Sequence, residues 1–553
     1  MSDSQVCLRV CGVSKSFSGP GRQIRVLEDI HLQIRRGEFV SIIGPSGCGK
    51  SALLNLLAGL ELPDSGQIEV RPEGMGSPGR HHPHPGMIGI MLQKDYLLPW
   101  KTTLENVALG MELQGCKRSQ SHRNAASLME RFGLSGFEKH FPSQLSGGMR
   151  QRAALLRTVA AGQDILLLDE PFAAMDALTR RKMQSWLLEV WAALGKTILL
   201  VTHDIEEAIL LSDRVLVMAA NPGRIIRQFE IRLPRPRHAD MTASTEFNRA
   251  RTFLLEALSN EPMQHGSLEM ESESVRRPAE HVGSGAITMA PWMAVLGSMA
   301  FWELIVRWLG VPGWLLPAPS QILTALLSMP DVIAGHAWAT ISSTLLGLMA
   351  AIALALAAAV LMHVSPLAER SFLPLIVASQ SLPGLALAPL LAVWFGYGLA
   401  PKVIMVAILC FFPIAVNAID GFKRVERGQV DSLLTLGATS AQLFRCVFLP
   451  SALFQMFSGL KVAVSYAAVG AMVGEWVGSS QGLGYFMLRS SSQFLTDRVF
   501  AAIVVLAAIG MSLFHLVDIL QKRLLPWLET EKRRTGTHQR HFHRVLSQRS
   551  VER

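Results

Sequence analysis

The sequence predicts a multidomain chain, an α/β nucleotide-binding domain followed by an all-α, polytopic membrane domain. Three observations lead there. Gly44-Pro-Ser-Gly-Cys-Gly-Lys50-Ser51 fits G-x-x-x-x-G-K-[ST], with the apolar run Phe39–Ile43 before it and a helical pattern, Ala52 to Leu60, after it. Residues 1–285 have the composition of an ordinary soluble protein, whereas 286–526 hold long, nearly uncharged runs. Each run is close to the roughly 20 apolar residues that a helix needs to cross a bilayer.

Composition narrows the classes. A chain of 553 residues is too long for one core, and its 50% hydrophobic content and mean hydropathy of +0.30 come mainly from the second half. The net charge of +9 is explained by Lys and Arg gathered in cytosolic parts of a membrane protein, notably the tail from Lys532-Arg533-Arg534 to Arg553. No basic patch carries interleaved aromatics, so nucleic acid is set aside as a partner. Six cysteines, Cys7, Cys11, Cys48, Cys116, Cys410 and Cys446, show no metal spacing and read as free thiols in a reducing compartment. Met1 to Gly19 has no long apolar core, so the N-terminus is expected to stay in the cytosol.

In chain order, Phe17 is an aromatic placed either to stack on an adenine ring or simply to pack. Val26 to Ile34 alternates like a strand, and Gly37 turns the chain into the next one. In the glycine loop, Gly44, Ser46, Gly47, Cys48 and Gly49 would turn backbone N–H groups inward to cradle phosphate oxygens, aided by the positive end of the helix that follows. Lys50 would reach the β- and γ-phosphates, and the Ser51 hydroxyl would ligate Mg²⁺. Residues 71–86 form a Gly/Pro-rich stretch with His81, His82 and His84. Pro83 and Pro85 keep it extended and no Cys or carboxylate stands beside the histidines, so it reads as a solvated loop.

Leu145-Ser146-Gly147-Gly148 opens a helix rich in Ala and Leu, a second phosphate cradle. One chain has little use for two cradles unless the second serves the nucleotide of a partner chain. Ile165–Asp169 is an all-apolar strand ending in a carboxylate, with Glu170 next. Asp169 would hold Mg²⁺ through water and Glu170 would orient the attacking water. A further strand from Thr197 ends at His203, placed to contact the γ-phosphate.

These motifs, with Gln93 and Ala174-Met175-Asp176, occur in the order of the ATP-binding cassette ATPases, which residues 5–258 resemble. The resemblance implies ATP and Mg²⁺ as cofactors, Glu170 and His203 as catalytic residues, and Gln93, Ser51 and Asp169 at the metal. It also implies two such domains closing head-to-tail over two ATP molecules, with Ser146 and Gly148 of one facing the γ-phosphate held by Lys50 of the other. Met175 departs from the usual Leu, a tolerable apolar exchange.

Residues 259–285 are polar and aperiodic and read as a linker. Apolar spans follow near 288–309, 340–362, 372–395, 402–419, 456–474 and 499–521, the third interrupted by Pro374, Pro383 and Pro389. Six spans from a cytosolic N-terminus would return the tail, 527–553, to the cytosol. Gly470 and Gly474 form a small-xxx-small face, and Glu475 at the membrane border would either line a pathway or sit at the interface.

The cytosolic loop 431–450 resembles the EAA loop of ABC importer permeases: a short helix, Gly437, then Leu449-Pro450. Asp431-Ser432-Leu433 departs from Glu-Ala-Ala. By the same resemblance this loop would lie in a groove of the ATPase near Gln93, making 286–526 a type I importer-like permease. The implied partners are a second copy of the chain, an extracytoplasmic substrate-binding protein, membrane lipid and a small solute, with the chain sited in the cytoplasmic membrane. The permease is similar to the nitrate/sulfonate/taurine-type group. Within that group, Ala378–Pro383, Phe411–Asn417, Gly474–Gly478 and Gly482–Tyr485 look most like permeases for hydroxymethylpyrimidine, the pyrimidine precursor of thiamine. Sulfonate, taurine or nitrate is the alternative cargo. An exporter would usually place its membrane domain first, and a non-transport ATPase would lack the spans.

Overall fold

The computed structural model describes residues 5–19, 22–71, 82–173, 175–259, 290–380, 384–477 and 479–528. They divide into two compact units. The first joins the described residues up to Ser259 with Val425–Phe448 and residues 526–528, and the second holds those from Ala290 to Arg424 and Leu449–Leu525.

The first unit runs β1 (Val6–Gly19), β2 (Arg22–Arg35), β3 (Phe39–Ile43), α1 (Lys50–Leu57), β4 (Ser65–Val70), β5 (Gly89–Met91), α2 (Thr103–Leu113), α3 (Arg118–Arg131), α4 (Gly147–Ala160), β6 (Ile165–Asp169), α5 (Ala177–Leu194), β7 (Thr197–Val201), α6 (Ile205–Leu211), β8 (Arg214–Ala219), β9 (Arg224–Glu230) and α7 (Thr245–Ser259). β2, β1 and β4 form an antiparallel sheet, and the main sheet has the order β5-β6-β7-β3-β8-β9, parallel except for β9. β3, β6 and β7 are buried along their whole length, as strands covered on both faces must be.

Alternate residues of these strands serve different cores. Val40, Ile42, Ile165, Leu167, Leu199 and Val201 pack towards α1 and the antiparallel sheet. Phe39, Leu166, Leu168, Ile198 and Leu200 pack towards α2, α4 and α5. A one-residue slip would exchange the two sets, so the register is fixed by packing. The helix expected over 52–60 starts instead at Lys50 and ends at Leu57, followed by Gly59 at φ +72°.

The second unit begins with α8 (Ala290–Trp308), α9 (Pro319–Ser328), α10 (Pro330–Val364), α11 (Pro366–Ser379), α12 (Gly384–Phe395) and α13 (Leu399–Lys423). The chain returns to the first unit for α14 (Arg427–Thr435) and α15 (Ser440–Leu443), then completes the second with α16 (Leu449–Trp476), α17 (Leu483–Ser492) and α18 (Thr496–Leu524).

Among the described residues four helical runs are long and apolar enough to cross a membrane: α10, α13, the run ending in α16, and α18. A fifth results if α11 and α12 form one broken span. The six-span expectation is corrected at two places. α8 carries Glu303 and Arg307, paired at 2.6 Å, which dilute its apolar run. The third span is divided into helices of 14 and 12 residues, each too short to cross alone. α16 lies against α13 through small residues, as the Gly470/Gly474 face predicts. A Cβ on Gly470 would stand 3.1 Å from Leu409 Cδ1, and one on Gly474 would stand 3.0 Å from Lys402 Cα.

Candidate nucleotide site

The parallel strands bring the chemistry to one edge. Val201 of β7 pairs with Ile42 of β3 on one side and with Asp169 of β6 on the other. The loop after β3, the carboxylates after β6 and His203 after β7 therefore share the carboxyl ends of three adjacent strands, where open α/β sheets bind ligands.

In the loop, Gly47 and Gly49 have φ of +80° and +93°, a region that costs an L side chain about 1–2 kcal/mol. A Cβ on Gly49 would stand 2.8 Å from Leu27 Cδ2, and one on Gly44 2.5 Å from Met218 O, so close packing as well as backbone shape requires glycine. Lys50 Nζ donates to Gly44 O and Pro45 O, both at 2.9 Å, which folds the ammonium over the loop. Cys48 Sγ lies 3.6 Å from the same ammonium, and burial pushes its thiol up.

Ser51 Oγ donates to Asp169 Oδ2 at 2.8 Å. Burial pushes the Asp169 carboxyl up, the Ser51 bond opposes it, and the Glu170 carboxylate adds to the upward push. Glu170 has φ +46°, a strained value for a residue with a side chain, held by its N–H donating to Val201 O at 2.9 Å. Its carboxylate accepts from Gln93 Nε2 at 3.1 Å and lies 3.1 Å from His203 Nδ1. The structure thus gathers Lys50, Ser51, Asp169, Glu170, Gln93 and His203. The oxygen donors Ser51 and Asp169 suit a hard cation that shares phosphate ligands, and the glycine loop suits the phosphates themselves.

Ser146 caps α4, its hydroxyl accepting from Met149 N at 3.3 Å. Gly148 lies beside Met175, where a Cβ would be 3.9 Å from Met175 Cγ. Among the described residues no hydrogen bond joins Ser146, Gly147 or Gly148 to the loop at 44–51. Phe17 is half-exposed on β1, with Lys15 Nζ 5.5 Å from its ring centroid. His82 and His84 belong to no metal-holding group among the described residues, and His81 and Ala174 lie outside them.

The expected loop at 431–450 starts its helix earlier, at Arg427, and Gly428 in its first turn admits the Tyr96 ring where a Cβ would collide. Leu433, Leu436, Leu443 and Val447 are buried among Leu98, Leu109 and Leu113. Arg157 of α4 binds this segment: Nη1 donates to Tyr96 O at 2.8 Å, and Nη2 to Asp95 O and Ser432 Oγ, both at 2.9 Å. Burial lowers its pKa to about 10, with the Asp95 carboxylate opposing, so it stays charged at neutral pH. Trp100 Nε1 donates to Cys446 O at 2.9 Å and Gln163 Nε2 to Thr435 O at 3.2 Å. Sequence reasoning missed Arg157, Trp100 and Gln163. No motif marks them, and Arg157 reads as one more charge on an amphipathic helix.

The glycine loop, the strand-end carboxylates and the α/β sheet define a P-loop ATPase. Residues 27–173 match the ABC transporter family model, and 343–529 match that of binding-protein-dependent transport system inner membrane components. An uncharacterized ABC transporter ATP-binding protein of Methanocaldococcus jannaschii is 41% identical over 260 residues, covering 47% of this chain and 94% of the relative. A taurine import ATP-binding protein of Pseudomonas aeruginosa is 39% identical over 249 residues, 44% of this chain and 92% of the relative. A solved dimeric ATP-binding cassette in a post-hydrolysis state with ADP and Pi is 30% identical, covers 41% of this chain and 100% of its own, and has a TM-score of 0.37. The chain belongs to the ABC transporter family. It is a fused ATPase and permease, a multi-pass membrane protein that binds ATP and couples its hydrolysis to transport.

Proposed function

We propose that the chain imports a small solute across the cytoplasmic membrane, as a homodimer supplied by a separate binding protein. The observation that carries this reading is the packing of Val425–Phe448, the segment between two membrane-crossing helices, into the ATPase beside Asp95 and Tyr96, just past Gln93. A change at Gln93 would thereby be felt by the permease helices. Lys50 and the loop amides hold the ATP phosphates, and Ser51 and Asp169 hold Mg²⁺, which offsets phosphate charge when bound. Glu170, oriented by Gln93 and His203, takes the proton of the attacking water. Ser146 and Gly148 complete the site of the partner copy, and Phe17 stacks on the adenine. The ATPase half and the C-terminal tail face the cytosol.

Two cargoes fit this machine. The permease motifs support hydroxymethylpyrimidine, and the names of the ATPase relatives support taurine or another sulfonate. The test is ATP-dependent uptake of labelled hydroxymethylpyrimidine, taurine and nitrate by cells expressing the chain with a cognate binding protein. Lys50→Ala is the control. Accumulation of one solute, lost in the control, establishes import and its cargo. Efflux in place of accumulation would overturn the direction proposed.

A further inference from the structure

The turn Ser146-Gly147-Gly148 opens α4, and two arginines of that helix, Arg150 and Arg157, lie two turns apart on one face. Both reach the loop that follows Gln93. Arg157 holds its main chain, at Asp95 O and Tyr96 O. Arg150 holds a side chain instead, with Nε donating to Asp95 Oδ2 at 2.9 Å. The same guanidinium turns back to the start of its own helix, where Nη1 donates to Leu145 O at 3.2 Å. Its backbone N–H donates to Ser146 O at 3.0 Å. Arg150 therefore brackets the turn from both sides of the Leu145–Ser146 peptide. Arg152, two positions on, points elsewhere and donates to Gly133 O.

Asp95 is aimed at this arginine. Its Oδ1 accepts from Leu97 N at 3.4 Å, which folds the carboxylate over its own loop and leaves Oδ2 for Arg150. The loop is held in a strained shape, with Tyr96 at φ +40°. Gln93, two residues before Asp95, donates to Glu170 Oε2 at 3.1 Å. A short route thus runs from Glu170 through Gln93, Asp95 and Arg150 to the carbonyl beside Ser146.

The two ends of that route serve different nucleotides. Gln93 and Glu170 stand at the site of the chain's own glycine loop. Among the described residues no hydrogen bond joins the 146–148 turn to that loop, and in the homodimer the turn completes the site of the partner copy. The side chains of Arg150 and Asp95 are 26% and 29% exposed, so water screens the pair only in part. A planar guanidinium holding a carboxylate and a carbonyl at once also fixes direction, which a single point charge does not.

We infer that Arg150 is a positioning residue for ATP hydrolysis, one that sets the 145–148 turn, and with it the partner's ATP site, according to where Gln93 of its own chain stands. This rests on the homodimer reading and adds to it the link between the two sites. Arg150 touches no reacting atom in this scheme. It acts through Leu145 and Ser146 on one side and through Asp95 on the other.

The experiment measures ATP hydrolysis, and binding of a fluorescent ATP analogue, by the full chain in nanodiscs. Wild type, Arg150→Gln, Asp95→Ala, their double variant and Arg150→Lys are compared after thermal midpoints show them folded. Asp95→Ala breaks the pair without altering α4. Each of Arg150→Gln and Asp95→Ala is expected to lower kcat about three- to tenfold, with affinity for the analogue unchanged. The double variant should be no slower than the slower single one, because both changes remove one shared interaction. Arg150→Lys keeps the charge but not the fork, and should fall between wild type and Arg150→Gln. A wild-type kcat in either single variant, losses that multiply in the double one, or a matching loss of analogue affinity would overturn the inference. Counting chains per nanodisc by mass photometry separates the two readings. A lone chain that hydrolyses ATP at the full rate removes the homodimer and this link with it, whereas paired chains insensitive to Arg150→Gln remove the link alone.

Discussion

Arg157 Nη2 and Ser432 Oγ, 275 residues apart in sequence, meet at 2.9 Å, and the guanidinium that makes this bond is itself buried among backbone carbonyls of Asp95 and Tyr96. One side chain therefore ties α4, which follows the Ser146–Gly148 turn, to the loop past Gln93 and to α14.

Arg157→Met removes three donors from buried acceptors, a change worth about 3 kcal/mol or more. Solute-stimulated ATP hydrolysis is expected to fall about tenfold, with ATP affinity unchanged, and amide exchange over 427–436 to rise. Ser432→Ala leaves the guanidinium its carbonyl partners and costs about 1 kcal/mol. Protection of 427–436 that is identical in wild type and Arg157→Met would show that this bond does not hold the segment.

Glu170→Gln keeps the shape of the side chain and its contact with Gln93, but cannot take a proton. Phosphate release is expected to drop by a factor of about 100 or more, while a fluorescent ATP analogue binds as before. Hydrolysis at the wild-type rate would remove Glu170 from the reaction.

Glu207 gives a pH signature. Burial pushes its carboxyl from 4.5 to about 8, with the Asp204 charge adding to the shift. Thr202 Oγ1 donates to one of its oxygens at 3.1 Å, and the other is buried without a protein partner. The folded state thus binds this proton more tightly than the unfolded chain. Stability is unaffected below pH 4.5, falls as pH rises towards 8, and stays low above it. Glu207→Gln should remove this penalty, on the order of 3 kcal/mol at neutral pH. The thermal midpoint of the variant is expected above wild type at pH 8 and equal to it at pH 4.5. A constant difference between the two would assign the burial cost to something other than ionisation.

Gly86 and Gly437 face each other, and their substitutions are not equivalent. Both have positive φ, +99° and +90°. A Cβ on Gly86 would stand 2.9 Å from Gly437 Cα, whereas one on Gly437 comes no nearer than 4.0 Å. Gly437→Ala then carries backbone strain alone, about 1–2 kcal/mol, and Gly86→Ala adds displacement of the segment. Solute-stimulated ATPase measurements should show the larger loss in Gly86→Ala, and the reverse order would contradict the packing described.

The nucleotide site was legible because its chemistry is local. Residues 44–51 and 165–170 carry strand, turn and reactive group within one short window each. Strand pairing through Val201 then brings those windows together, which their apolar composition implies without specifying. Arg157 and Trp100 were illegible for the opposite reason, since their partners Ser432 and Cys446 stand hundreds of residues away. The membrane half was legible in outline from hydropathy. Among the described residues its count differs where Glu303 and Arg307 dilute the apolar run of α8 and where the third span is divided into two short helices. Lys402 was hidden too, because in sequence it is merely the first charge of a span. Only the fold reveals that it is buried and donates to Gln481 O at 2.9 Å.

The position of Val425–Phe448 within the first unit also has a consequence for biogenesis. The apolar groove formed by Leu98, Leu109 and Leu113 is complete early in translation, but the residues that cover it are made only after α8 to α13. At about 5–20 residues per second, the nascent ATPase waits on the order of ten to thirty seconds with that groove bare, while the ribosome delivers helices to the membrane. Fusion places the cover on the same messenger and the same ribosome. The groove is closed by the chain's own later residues, with no search for a separately made subunit.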